Sequence, residues 1–354
     1  MGRNRHDAPS VRIPLLKAKD EIYAMNTHKV AVVIPSYRVR NHICQVLARI
    51  GPEVHRIYVV DDACPDGSGL FVERECKDPR VRVLHHSQNR GVGGAVMTGY
   101  LAAIDEGADI LVKIDGDGQM DPALLPDFIA PLIAGVADYA KGNRFYDLRH
   151  VSRMPAVRLL GNACLSFMAK LSTGYWHIFD PTNGYTALHA RVAERLPFDR
   201  ISNRYFFETD MLFRLGTLRC VVTDVPMDAV YGAECSSLSV RKAVGEFLLK
   251  HMRNLVSRIF YTYILRDFSI ATIELFVGVA LLAFGIVFGA LTWLRAIDSM
   301  VPTPLGTIML SALATLAGVQ FTLAFLAYDM TSAPRQALAP SLRPHRTMRT
   351  SGAA

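Results

Sequence analysis

The chain has 354 residues, of which 51% are hydrophobic and 20% charged, with a formal net charge of +7. That length allows one large domain plus an appendage, and the apolar share is high for a purely soluble protein. A basic chain can bind nucleic acid, but the distribution of charge opposes that reading, so no nucleic-acid partner is expected.

Residues 1–28 are polar, charged and proline-containing, and read as a flexible or loosely docked arm rather than a signal peptide. From Lys29 the pattern alternates apolar runs with helical stretches. Val30 to Ile34 stops at Pro35, as a buried parallel strand would. Arg56 to Val60 is a second strand, ending in Asp61-Asp62, and Val81 to Leu84 is a third. Asp109 to Ile114 is a fourth, ending in Asp115-Gly-Asp117. Helices are predicted over His42–Ile50, Gly67–Cys76 and Gly93–Glu106. Such alternation implies a mostly parallel sheet covered on both faces, with ligands at the carboxyl ends of its strands. Residues 152–230 are less regular, with a predicted helix over Ala156–Leu171 and short strands.

A helix over about Val240–Leu265 follows, with Leu248, Met252, Leu255, Ile259 and Tyr263 at steps of three and four. Its apolar stripe and basic residues fit a helix lying in a membrane interface. Two long apolar runs complete the pattern. Ile270 to Leu294 holds one charge, Glu274, and Leu305 to Tyr328 holds none. Each matches the roughly 20 residues that cross a bilayer core. Six Lys or Arg lie between Arg241 and Arg266 against the single acid Glu246. Arg335, Arg343, Arg346 and Arg349 follow the second run, whereas the loop between the runs has only Arg295 and Asp298. This asymmetry places both outer ends in the cytosol and draws the basic stretch to anionic headgroups. The six cysteines form no C-x-x-C pair and read as reduced thiols of a cytosolic domain. The His85-His86 pair reads first as strand-end residues and only second as a metal site.

The strand ends carry the chemistry. Asp115 and Asp117, two apart on a turn, can both address one hard divalent cation, Mg²⁺ or Mn²⁺, shared with the oxygens of a nucleoside diphosphate. Asp117 sits further out on the turn and is the more direct ligand. Asp62 can accept from a base N–H or a ribose hydroxyl, or can serve as a turn acid. Asn89-Arg-Gly-Val-Gly-Gly-Ala95 opens a helix, but its position and spacing do not match a dinucleotide fingerprint. Its glycines, Gly93 among them, either approach a ligand or allow close helix packing.

Taken in order, Ile34-Pro-Ser-Tyr37, Val60-Asp-Asp62, the glycine-rich loop and Lys113-Ile-Asp-Gly-Asp-Gly-Gln-Met-Asp-Pro122 resemble the inverting nucleotide-sugar glycosyltransferases of the GT-A fold. Gly142-Asn-Arg144, Pro181-Thr-Asn-Gly-Tyr185, Tyr205-Phe-Phe-Glu-Thr-Asp-Met-Leu212 and Tyr231-Gly232 narrow the resemblance. It points to the dolichol-phosphate mannosyltransferase and polyprenyl-phosphate glucosyltransferase group. The resemblance implies an α/β GT-A fold, Rossmann-like, with an interfacial helix and two C-terminal transmembrane helices. The expected division is an arm (1–28), a catalytic domain (29–239), a juxtamembrane helix (240–268), two spans (269–329) and a disordered cytosolic tail (330–354).

The implied reaction moves a hexose, with inversion, from a nucleotide sugar to a polyprenyl phosphate on the cytosolic face of a cell membrane. Pro35, Tyr37, Asp62, Gly93 and Asp115 are then expected near the donor, with Asp115 and Asp117 on the metal. Arg144 is the expected ligand of the acceptor phosphate, and Asp210 the acid that orients cations or sugar. Two departures stand out. Arg38-Val-Arg40 follows Tyr37 where the family has Asn and then Glu, and Val230 stands where many relatives have Arg. Arg158, Arg241 and Lys242 are the candidate replacement cations. A processive polysaccharide synthase and a non-catalytic membrane scaffold are the competing readings, and a homo-oligomer is compatible with either.

Overall fold

The computed structural model describes residues 27–146, 156–228 and 240–343, without the side chains of 156–159 and 240–244. The four expected strands are β1 (Val30–Ser36), β2 (Val54–Asp61), β3 (Val81–His85) and β4 (Ile110–Lys113). Three more, β5 (Tyr139–Asn143), β6 (Thr186–His189) and β7 (Val222–Pro226), complete a sheet of order β3-β2-β1-β4-β6-β5-β7. β6 runs antiparallel to both its neighbours, and the other pairings are parallel.

The uninterrupted apolar runs of β1, β2 and β4 follow from burial on both faces. Successive side chains alternate. Ala31 and Val33 enter one core with Tyr58 and Val60, whereas Val30, Val32 and Ile34 enter the other with Ile57 and Val59. Between the strands run α1 (Ile43–Ala48), α2 (Ser68–Glu75), α3 (Val92–Asp105) and α4 (Leu125–Ile133). After β5 come α5 (Ala156–Thr173), the short α6 (Ala190–Ala193) and α7 (Phe207–Leu218).

Beyond β7, α8 (Val240–Ile259) passes into a π-helical turn at Phe260–Arg266. Its outward face exposes Leu248, Leu249, Met252 and Val256. Its inward face carries polar anchors. His251 Nδ1 lies 2.8 Å from Ser172 Oγ, Asn254 donates to Asp210 at 3.2 Å, and Arg258 donates to the Leu171 carbonyl at 3.1 Å. Two helices long and apolar enough to cross a membrane follow, α9 (Ile270–Ser299) and α10 (Leu305–Thr331). At 1.5 Å per residue each exceeds the roughly 30 Å of a bilayer core.

One boundary needs correction. The tail is expected to be disordered from residue 330, yet residues 332–343 pack back on the domain built around the seven-stranded sheet. Leu338 N and Ala339 N donate to Asp138 at 2.9 and 2.7 Å, and Ala339 is buried. Asp138 is itself fully buried at the head of β5 and also accepts from Val221 N at 2.8 Å. A buried carboxylate needs such donors, and the returning segment supplies two of the three. Residues 1–26 and 344–354, and with them most of the expected arm and the end of the tail, lie outside the described residues.

Candidate active site

The carboxyl ends of β1, β2 and β4 bring the motif residues to one edge. Ser36 registers with Asp61, and Val33 with Lys113, so the turn after β4 faces the end of β1. Pro35 lies in β1, and Tyr37 just beyond it is 42% exposed, with Arg38 stacked on its ring at 5.4 Å.

Asp115 and Asp117 occupy the turn after β4. Asp117 Oδ1 accepts from Gln119 N at 3.0 Å, which shapes the turn. Asp115 Oδ1 accepts from Lys113 Nζ at 2.7 Å. Gly184, from the Pro-Thr-Asn-Gly-Tyr segment, closes over the same group: a Cβ there would sit 2.6 Å from Asp115 Oδ2 and 2.5 Å from Lys113 Nζ. Among the described residues no cluster of three or more His, Cys, Asp or Glu could hold a metal by itself. Two carboxylates on a turn fit Mg²⁺ or Mn²⁺, which are held by one or two carboxylates and completed by phosphate oxygens and water. They do not fit a four-ligand zinc site.

Beneath the turn lies a charged layer that sequence reasoning missed. Lys113 is 1% exposed and also reaches Glu208 Oε1 at 3.4 Å and the Gly184 carbonyl at 3.1 Å. Burial alone would depress its ammonium, but Asp115 and Glu208 hold it above the ordinary lysine range. Lys141, equally buried, donates to the Asn183 carbonyl. Its burial outweighs Glu208 and Asp180 and pulls its pKa down to about 8.

Glu208 and Asp210 share the first turn of α7, where the helix dipole favours acids. At 100° per residue, positions two apart point to opposite sides. Glu208 therefore meets Lys113 at the sheet edge. Asp210, expected beside the acceptor, instead accepts from Ser202 N at 2.9 Å and from Asn254 of α8. It is 5% exposed and ties α7 to α8.

Arg144 follows β5 and grips the fully buried Asp180 with two bonds, Nε–Oδ2 at 2.7 Å and Nη2–Oδ1 at 3.1 Å. Its side chain is one-third exposed, and the two bonds hold the guanidinium in a fixed plane. Asp62 departs from expectation. Both its oxygens are engaged, by Arg90 N and Gly91 N at 2.7 Å each and by His86 Nδ1 at 2.7 Å. At 2% exposure it anchors the glycine-rich loop, and the expected base or ribose contact finds no support in this geometry. Gly93 is also a packing residue here, since a Cβ would meet Ser202 O at 2.5 Å and Phe207 Cδ2 at 2.6 Å. Arg158 lies on α5, and Arg241 and Lys242 on α8, with side chains outside the described residues. Val230 and Tyr231-Gly232 are outside them entirely. His85 and His86 pair with Glu73 and with Asp62 and Thr98, as strand-end residues do.

A mostly parallel sheet with an acidic turn at the end of its fourth strand and an antiparallel strand inserted beside it is the GT-A arrangement of nucleotide-sugar transferases. Residues 31–196 match the model of the glycosyl transferase family 2. The chain is 31% identical over 206 residues to the undecaprenyl-phosphate mannosyltransferase of Micrococcus luteus, spanning 57% of this chain and 84% of that one. It is 31% identical over 207 residues to the polyprenol monophosphomannose synthase of Mycolicibacterium smegmatis, spanning 57% and 77%. Among solved structures, glucosyl-3-phosphoglycerate synthase from Mycobacterium tuberculosis, with Mn²⁺, UDP-glucose and phosphoglyceric acid, superposes with a TM-score of 0.52 at 18% identity. The match covers 69% of this chain and 84% of that one, and at that identity it speaks for the fold alone. The chain belongs to glycosyl transferase family 2.

Proposed function

We propose that this protein moves a hexose from a nucleotide sugar to a polyprenyl phosphate, with inversion at the anomeric carbon. The observation that carries this reading is the joining of an Asp115–Asp117 edge to two membrane-length helices through α8. The similarity to an undecaprenyl-phosphate mannosyltransferase and to a polyprenol monophosphomannose synthase supports it. A divalent cation held by Asp115 and Asp117 would neutralise charge on the departing diphosphate. Tyr37 and Pro35 border the donor at the end of β1. Arg144, its plane set by Asp180, binds the acceptor phosphate, for which a guanidinium fork is better suited than an ammonium. Arg158, Arg241 and Lys242 add positive charge on the helices nearest the membrane. A phosphate monoester with a second pKa near 6 is largely dianionic at neutral pH. It therefore needs no general base, and the protein's contribution is positioning and charge stabilisation.

The test is transfer by the purified protein from a panel of radiolabelled nucleotide sugars to polyprenyl phosphate. The expected product is a labelled, butanol-extractable lipid. An insoluble polymer would identify a processive synthase, and no transfer from any donor would leave only a scaffold.

The same reading places the catalytic domain in the cytosol, with the short connection between α9 and α10 on the far side of a cell membrane. Ser299, exposed at the end of α9, is the reporter. Ser299→Cys should react with an impermeant thiol reagent in intact cells, and labelling only after permeabilisation would reverse the topology.

A further inference from the structure

Lys113 plays no part in the chemistry described above, yet it is a fully enclosed cation in direct contact with the acidic turn. Its ammonium lies 2.7 Å from Asp115 Oδ1, 3.4 Å from Glu208 Oε1 and 3.1 Å from the Gly184 carbonyl. It thereby joins three elements: the end of β4, the segment entering β6, and the first turn of α7. We propose that Lys113 is a positioning residue that engages Asp115 and so makes divalent-cation binding depend on the nucleotide diphosphate.

The inference rests on the donor-site reading given above. A divalent cation entering between Asp115 and Asp117 must share Asp115 with an ammonium already bonded to it. Like charges this close repel strongly where water is excluded, and Lys113 cannot withdraw, because it is packed on all sides and its exposure is 1%. The cation alone therefore meets a site whose nearer carboxylate is already partly neutralised. A diphosphate changes the balance by bringing several negative charges and the oxygens that complete the coordination shell. Each ligand then raises the affinity of the other by the same factor, as linkage requires. Glu208 sets the strength of the effect, since it draws part of the Lys113 charge away from Asp115. A purely structural role for Lys113 would affect stability and leave the coupling unchanged.

The experiment measures Mn²⁺ binding by electron paramagnetic resonance on the full-length protein in detergent, with and without UDP or GDP. No acceptor lipid is present, so failure here is distinguishable from failure of lipid transfer. In the wild type the Mn²⁺ Kd should tighten at least about tenfold when the diphosphate is added. Lys113→Met, close in volume, should bind Mn²⁺ alone at least about tenfold more tightly than the wild type, with the coupling ratio falling towards one. Glu208→Gln leaves Asp115 as the one carboxylate paired with Lys113 among the described residues and should weaken binding of Mn²⁺ alone. A folded Lys113→Met protein with wild-type affinity for Mn²⁺ alone would overturn the proposal. So would a wild type that binds Mn²⁺ equally well with and without diphosphate. If Lys113→Met does not fold, unchanged Mn²⁺ affinity in Glu208→Gln overturns it.

Discussion

Replacing Asp117 with alanine is expected to lower sugar transfer by at least about 10²–10³-fold, the loss seen when one preorganised charge-stabilising group is removed from an active site. The residue sits on the turn beyond β4, and its carboxylate accepts from Gln119 N within that turn. The fold should therefore survive. The circular-dichroism spectrum and melting temperature should match the wild type within a degree or two, while turnover falls below detection in a standard assay. Chelator should silence the wild type in the same way, and added Mn²⁺ or Mg²⁺ should restore it but not rescue Asp117→Ala. Full activity of the wild type in excess chelator would remove the metal from the mechanism, and with it the role given to this turn.

Asp329→Ala should produce the largest loss of stability. Asp329 ends the second apolar helix and is 2% exposed. Arg258 donates to it twice, at 2.6 and 3.1 Å, Tyr263 Oη lies at 2.5 Å, and Trp176 Nε1 at 2.8 Å. These partners come from α8, from the π-helical turn and from the transferase domain, so one carboxylate ties the second long apolar helix, α8 and the transferase domain together. Removing it leaves the 7%-exposed Arg258 side chain without a counter-ion. Breaking a buried pair from one side costs about 3–5 kcal/mol, whereas replacing both partners with apolar residues can be close to neutral. Denaturant unfolding in detergent should show that loss for Asp329→Ala and a partial recovery in the Arg258→Met, Asp329→Leu double variant. A single-variant loss below about 1 kcal/mol would mean that the assembly is held elsewhere.

The parts of this protein that announce themselves in sequence are those whose physics is local. β1, β2 and β4 carry continuous apolar runs because both of their faces are covered, and the acids that end β2 and follow β4 mark the functional edge. The two membrane-length helices are equally plain. β5 and β6 are harder to see, because Lys141, Gly142 and Asn143 are buried polar or small residues in a strand of five. Read alone, such a segment looks like a loop. The site's second layer was hidden for the same reason. A lysine is ordinarily expected at the surface, and nothing near Lys113 in sequence reveals Glu208 or Gly184 as its partners. The resemblance singles out Asp210 in this motif, whereas Glu208 is the acid that reaches Lys113, because a two-residue step in a helix sends the two carboxylates apart. Arg144–Asp180 and Arg258–Asp329 are separated by 36 and 71 positions, and Asp138 by about 200 from the segment that caps it. Long-range pairings of this kind leave no periodic trace. Asp62 shows the converse, a motif residue whose place was legible while its partners, the backbone of the glycine-rich loop, were not.

Acceptor choice bears most directly on the central claim. The purified protein is given a radiolabelled nucleotide sugar together with equal amounts of polyprenyl phosphate and phosphoglyceric acid, and the label is partitioned between butanol and water. The expected result is label in the organic phase, abolished when the prenol lacks its phosphate and strongly reduced in Arg144→Ala. Label accumulating on the water-soluble phospho-acid, or equal transfer to the unphosphorylated prenol, would contradict the assignment of a lipid phosphate as the acceptor.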